Sequence, residues 1–224
     1  MEVLRFSELI DEQVKAEISG KNEVIGILVD EGLDVIVLYN GYKYIYIPLL
    51  HLHSLEKYDD ENPIKYDHKT IKPMFIEEDS ISYRKILINA KGMFVETYVT
   101  GNKALHGYIT SVLTDYFVFY SPVFKYVLVS FHHLKWLIPY PNTTTPYSLN
   151  EHELPVVPAM ITVNRTFEEQ LKKFINKLVV FDLGEKQEKI GVLKSVQQNF
   201  VELVTAEGHT VFLKISHIKT VHVP

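Results

Sequence analysis

Three histidines recur in one setting along this chain. His51-Leu52, His133-Leu134 and His217-Ile218 are each followed, four positions after the histidine, by an apolar residue: Leu55, Leu137 and Val221. An imidazole that titrates near neutrality can ligate a metal, carry a proton or switch a contact with pH. His51-x-His53 would place two imidazoles on one face of an extended segment, a spacing able to grip a metal. The other two copies carry Lys135 and Lys219 at the second position, and one histidine per copy is not a ligand set. The expected role is therefore structural: a histidine at a tight strand-to-strand turn, bonded to nearby backbone. No His-Glu-x-x-His, Gly-x-Ser-x-Gly or phosphate-cradling glycine loop occurs, so the reading is of a non-enzyme with no catalytic residues, no metal and no cofactor. The carboxylates gather between 56 and 81, which reads as a solvated acidic run rather than a catalytic pair.

The histidines belong to a larger repeat. Gly26-Ile27-Leu28, Gly107-Tyr108-Ile109 and Gly191-Val192-Leu193 each lead, eight residues after the glycine, to Asp34, Asp115 and Asn199. Each of those opens a strand-like run: Val35-Ile36-Val37-Leu38, Tyr116-Phe117-Val118-Phe119 and Phe200-Val201-Glu202-Leu203. Three copies of one small β unit favour a scaffold or binding array over a single-pocket enzyme. Within a strand, the repeated glycine suggests a sharp bend or a close backbone approach. Asp34, Asp115 and Asn199 are expected to end turns and satisfy local backbone donors.

Short helical signals stand upstream of each copy. Ser7 precedes Glu8-Leu9-Ile10, Ser82 precedes Tyr83, Ile86, Leu87 and Ala90, and Thr166 with Glu169 forms a capping box. Five short strands should follow each helix, the first copy's near 14–18, 24–30, 34–39, 43–49 and 52–55. Asn40-Gly41 marks a hairpin between the third and fourth. A helix plus five strands in so few residues suits a strongly bent small barrel, not a sandwich. The expected organisation is repeat 1 over 1–57, an acidic linker over 58–81, repeat 2 over 82–138, a proline-rich linker over 139–165 and repeat 3 over 166–224. Pro139, Pro141, Pro146, Pro155 and Pro158 make the second linker extended rather than helical.

Composition narrows the partners. Of 224 residues 46% are hydrophobic, too many for a disordered chain, and the net charge is -5. No uninterrupted apolar stretch reaches about 18 residues, so no membrane span is expected. The start, Met1-Glu2-Val3-Leu4-Arg5, does not read as a signal peptide, which makes residence inside a cell the default expectation. Lys and Arg are not concentrated anywhere, which argues against nucleic acid as the partner.

A helix followed by five bent strands is similar to the Sm-like barrel. The recurring Gly-x-[Leu/Ile], Asp-[Tyr/Phe/Val]-[Ile/Val/Phe] and x-His-[Ile/Leu]-x-x-[Ile/Leu/Val] pattern resembles the repeats of the spore coat protein B family of endospore-forming bacteria. His133-Leu134-Lys135-Trp136-Leu137 and His217-Ile218-Lys219-Thr220-Val221 match it best. The resemblance implies an all-β fold with short helices: three tandem Sm-like barrels, each preceded by a short α-helix. It further implies a structural protein, made in the mother-cell cytoplasm and deposited on the spore coat or outer spore surface. There it would bind other coat proteins, or itself, through strand edges. The alternative is an Sm-like RNA-binding protein using Tyr42, Tyr44, Tyr46, Phe124, Tyr126 or Trp136 to stack bases. The Arg-Gly that RNA-binding Sm proteins carry between the fourth and fifth strands is absent here.

Overall fold

The computed structural model describes residues 6–66, 81–100, 103–141, 147 and 162–224. Most of both expected linkers and the Gly101-Asn102 turn lie outside the described residues. The described residues are mostly β, with fifteen strands in one continuous antiparallel sheet. Unit 1 contributes β1 (Gln13–Ile18), β2 (Asn22–Glu31), β3 (Val35–Tyr39), β4 (Tyr44–Pro48) and β5 (Leu52–Lys57). Helix α1 (Tyr83–Asn89) leads unit 2: β6 (Phe94–Thr100), β7 (Lys103–Val112), β8 (Tyr116–Ser121), β9 (Lys125–Ser130) and β10 (Trp136–Pro139). Helix α2 (Phe167–Lys172) leads unit 3: β11 (Leu178–Phe181), β12 (Ile190–Gln197), β13 (Phe200–Thr205), β14 (Thr210–Lys214) and β15 (Thr220–His222).

Within each unit the first strand pairs on both sides, with the second strand and with the fifth, and strands two, three and four form a meander. The registers superimpose. Val14 faces Gly26, Val95 faces Gly107 and Val179 faces Gly191. A register shift falls between Leu28 and Asp30, between Ile109 and Ser111, and between Leu193 and Ser195. Such bulges bend a strand and increase its twist. The turn before the first strand also repeats. Asp11, Gly92 and Asn176 all have positive φ, and their N–H groups donate to the carbonyls of Leu28, Ile109 and Leu193 at 2.8, 3.0 and 2.7 Å. Asp, Asn and Gly are the residues that tolerate that backbone region.

The repeated glycines turn out to serve close approach rather than special dihedrals, since none of the three has a positive φ. A Cβ on Gly26 would lie 2.8 Å from the Tyr39 carbonyl oxygen, on Gly107 2.1 Å from that of Tyr120, and on Gly191 2.3 Å from that of Val204. The neighbouring strand crosses where a side chain would stand.

One expectation needs correcting. Units 2 and 3 have their leading α-helix, capped by Ser82 and by a complete Thr166/Glu169 capping box. Before unit 1 the described residues hold only a 3-10 turn, Ser7–Leu9. The left-handed Asp11 and the start of β1 at Gln13 close that segment too soon for an α-helix starting at Ser7.

Candidate protein-docking face

The units join by one construction, used twice. The fifth strand of unit 2, β10, pairs with β4 of unit 1, and the fifth strand of unit 3, β15, pairs with β9 of unit 2. Over each pairing the next unit's helix packs onto the outer face of the preceding third and fourth strands. Val35, Val37 and Tyr46 of unit 1 share a core with Tyr83, Ile86 and Leu87. Tyr116, Val118 and Leu128 of unit 2 share one with Phe167 and Leu171. Registers make these trios equivalent, for Val37 pairs with Tyr46 and Val118 with Leu128.

Polar contacts fix the approach. Asp34 Oδ1 accepts the Tyr83 N–H at 2.7 Å, and Asp115 Oδ1 accepts the Phe167 N–H at 2.9 Å. These are first-turn helix donors that the helix itself cannot satisfy, and a carboxylate there also complements the helix dipole. Beside them, Leu33 N–H donates to the Ile81 carbonyl and Thr114 N–H to that of Arg165, at 2.8 and 3.2 Å. The expectation that these acids serve local donors is therefore corrected: their partners lie 49 and 52 residues away, in the next unit. A single sequence offers only the local option, because nothing in it reveals which helix will arrive at the turn.

The histidines complete the joint. Each ends a 3-10 turn between fourth and fifth strands: Leu49–His51, Phe131–His133 and Ile215–His217. His133 Nε2 donates to the Ser216 carbonyl of unit 3 at 2.9 Å. His51 is buried and shares a 2.9 Å hydrogen bond between Nδ1 and Ser19 Oγ, while its buried Nε2 has no bonded partner of normal geometry. Burial, first of all, with Lys135 and His133 nearby, lowers its pKa to about 4. Burial lowers that of His133 as well. His217, the counterpart in unit 3, is exposed. The two-imidazole metal grip does not form: His51 belongs to the 3-10 turn, so the segment is not extended, and His53 is exposed on β5. Among the described residues no group of three potential ligands could hold a metal.

Sequence reasoning missed Asp182. Its carboxylate is buried, pairs with Lys189 and accepts the Lys219 and Thr220 N–H groups at 2.7 and 3.1 Å through Oδ1. It pins the start of β15, the joint-forming strand. The repeat gave no hint of it, since Glu17 and Tyr98 occupy the matching positions.

Among the described residues, nothing packs on the same face of unit 3. Phe200, Glu202 and Phe212 occupy the positions of Tyr116, Val118 and Leu128, since Glu202 pairs with Phe212. The unit 1 and unit 2 trios are at most 2% exposed, whereas Phe200 is 44% and Phe212 64% exposed. A shallow hollow of about 510 Å³ lies there, lined by Ser195, Gln197, Gln198, Phe200, Glu202 and Phe212. Asn199, in the place of the two acids, is exposed, and the Gln198-Asn199 turn is left-handed at φ 49° and 66°.

The nine repeat-marking residues thus fall into two groups. Gly26, Gly107 and Gly191 allow strands to cross inside units. Asp34, Asp115, His51 and His133 line joints between units, and Asn199 and His217 stand at a vacant one. The candidate RNA-stacking aromatics differ widely in exposure. Tyr46 is buried, Trp136 is stacked on Tyr98 at 4.0 Å, and Tyr42 is 91% exposed. No helix among the described residues is long and apolar enough to cross a membrane.

Fold and site together define a class: an all-β repeat protein whose units are joined strand to strand in one direction. Within it, the chain belongs to the YwrJ family. It is 45% identical to the uncharacterized protein YwrJ of Bacillus subtilis (strain 168) over 228 residues, covering 98% of this chain and 99% of that one. The family description "YwrJ third domain" matches residues 166–221, the span of α2 and unit 3.

Proposed function

We propose that the protein is a non-enzymatic assembly component of the bacterial spore coat or outer spore layer, built of three Sm-like barrels and binding other coat proteins through their surfaces and strand edges. The observation that carries the assembly part is the repeated joint, which ends at a vacant copy of itself on unit 3. A face of this kind binds by main-chain pairing along an edge, with apolar side chains setting the fit. Exposed β edges that are not blunted recruit other strands. The coat assignment is supported by the resemblance of the repeats to the spore coat protein B family. The test is to follow a tagged copy in the native host through growth and sporulation and then fractionate the spores. Late appearance in the mother cell and recovery in the coat fraction support the proposal. Steady presence in growing cells, bound to RNA, overturns it in favour of the nucleic-acid alternative.

A further inference from the structure

We infer that the vacant face of unit 3 is occupied by a second copy of this chain, which adds its β5 to the edge of β14. This deepens the proposal above, resting on its reading of the edges as adhesive.

The sheet order ends in two open edges, β14 at one end and β5 at the other. They are the two halves of the internal joint: β4 and β9, the counterparts of β14, each receive a fifth strand, and β5 is the fifth strand without a host. Among the described residues neither outer edge is paired. Carrying over the register of Val221 with Leu128 and of Leu137 with Tyr46 puts Leu55 opposite Phe212. Leu55 holds the same place as Val221 and Leu137, since it pairs with Ala16 as they pair with Phe181 and Thr97.

The charges on β5 do not block this edge. Glu56 is paired with Lys15 at 2.7 Å and Lys57 with Glu12 at 2.9 Å, so both side chains fold back toward the β1 side. Net charge favours the meeting of ends. Residues 1–57 hold five Lys and Arg against ten Asp and Glu, while residues 166–224 hold eight against seven. The acidic first unit of one chain therefore approaches a slightly basic third unit of another.

The joint is weaker than the internal ones. Trp136 and Ile138 of β10 pack against the unit 1 core, and β5 offers Ser54 and Glu56 in their places. The expected result is reversible, head-to-tail association. Such a joint closes a ring if its rotation allows and otherwise extends a filament.

The chain has no cysteine, which makes cross-linking unambiguous. Leu55→Cys and Phe212→Cys would be prepared as separate full-length variants, mixed and oxidised gently. Directly opposed residues in an antiparallel pair stand within disulfide reach. The mixed disulfide should exceed either homodisulfide about tenfold or more at concentrations where light scattering of the wild type shows association. Phe200→Glu with Phe212→Glu, both at exposed positions, should retain the wild-type melting temperature and weaken self-association about tenfold or more. A wild type that stays monomeric to several hundred micromolar (a range set by about millimolar-to-micromolar affinities), or mixed disulfide no more abundant than the homodisulfides, overturns the inference. Coat deposition is measured separately by spore fractionation, so a monomeric protein recovered in the coat would sink self-assembly alone.

Discussion

Replacing Asp115 by Ala removes the acceptor of the Phe167 N–H at the head of α2. Thr166 already caps that helix by accepting from Glu169 N–H, so the helix should survive the change. What is lost is one charge-assisted bond to a first-turn donor and the carboxylate's interaction with the helix dipole, together about 1–2 kcal/mol. Asp34 makes the matching bond to Tyr83 but is more exposed, so its replacement should cost less, about 0.5–1 kcal/mol. Asn199→Gly is the internal control. It deletes the equivalent side chain at a turn where no helix is docked among the described residues, and at φ 66° glycine introduces no backbone strain. Its effect should stay within about 0.5 kcal/mol. The assay is urea unfolding followed by far-ultraviolet circular dichroism, at a concentration low enough to keep the chains apart. Asp115→Asn, which keeps an acceptor oxygen, should recover most of the loss. Equal costs for Asp115→Ala and Asn199→Gly would refute the reasoning, because the side chain would then serve only its own turn.

Further outcomes follow from the same geometry. Gly107→Ala drives a Cβ to 2.1 Å from the Tyr120 oxygen and should lower stability by about 3 kcal/mol, Gly191→Ala by nearly as much, and Gly26→Ala, at 2.8 Å, least; thermal melts of the three would show that order. His51 is held neutral, with a folded pKa of about 4 against an ordinary 6.5, so the unfolded chain binds the proton more readily. The stability that depends on neutral His51 is complete above pH 6.5 and is lost as the pH falls towards 4, by about 1–2 kcal/mol after allowance for solvent screening. His51→Gln should flatten that part of a pH–stability profile, and an unchanged slope would count against the buried imidazole.

The five-strand repeat was legible in the sequence because alternation and glycine placement are local properties. The hairpin at Asn40-Gly41 is there, with Asn40 Oδ1 accepting the Tyr42 and Lys43 N–H groups at 3.1 and 2.9 Å. The helix starts at Ser82 and Thr166 were equally legible, since a cap is a contact three residues long. The joints were not. A repeat shows that Asp34, Asp115 and Asn199 are alike, but the bonds of the two acids cross 49 and 52 residues, through segments with no pattern of their own. Asp182 was hidden for a different reason: it belongs to one unit alone, and its worth comes from burial among backbone donors that a sequence does not display. The exposure of Phe200 was hidden too, because the apolar residue opening β13 matches the buried Val35 and Tyr116, and only Glu202 two positions on hinted at an open face.

On the proposed docking face, Glu202 is expected to limit indiscriminate sticking. Its counterparts Val37 and Val118 are fully buried in the two internal joints, and here a carboxylate stands between two exposed phenylalanines, held by Ser195 Oγ at 2.9 Å. A charge on an exposed β surface discourages unspecific pairing while leaving the main-chain edge available. Exchanging the two residue types separates the roles. Val118→Glu would bury an unpaired carboxylate beneath α2 and should cost about 3 kcal/mol or more, opening the joint between units 2 and 3. Glu202→Val disturbs no fully buried contact and loses only the half-buried bond from Ser195 Oγ, so the melting temperature of the dilute chain should hold within about 2 °C. It widens the apolar strip from Phe200 to Phe212, and light scattering should then show association at concentrations about tenfold lower than for the wild type. Association unchanged by Glu202→Val would mean that the strip between the two phenylalanines takes no part in docking, and the edge of β14 would have to act through its main chain alone.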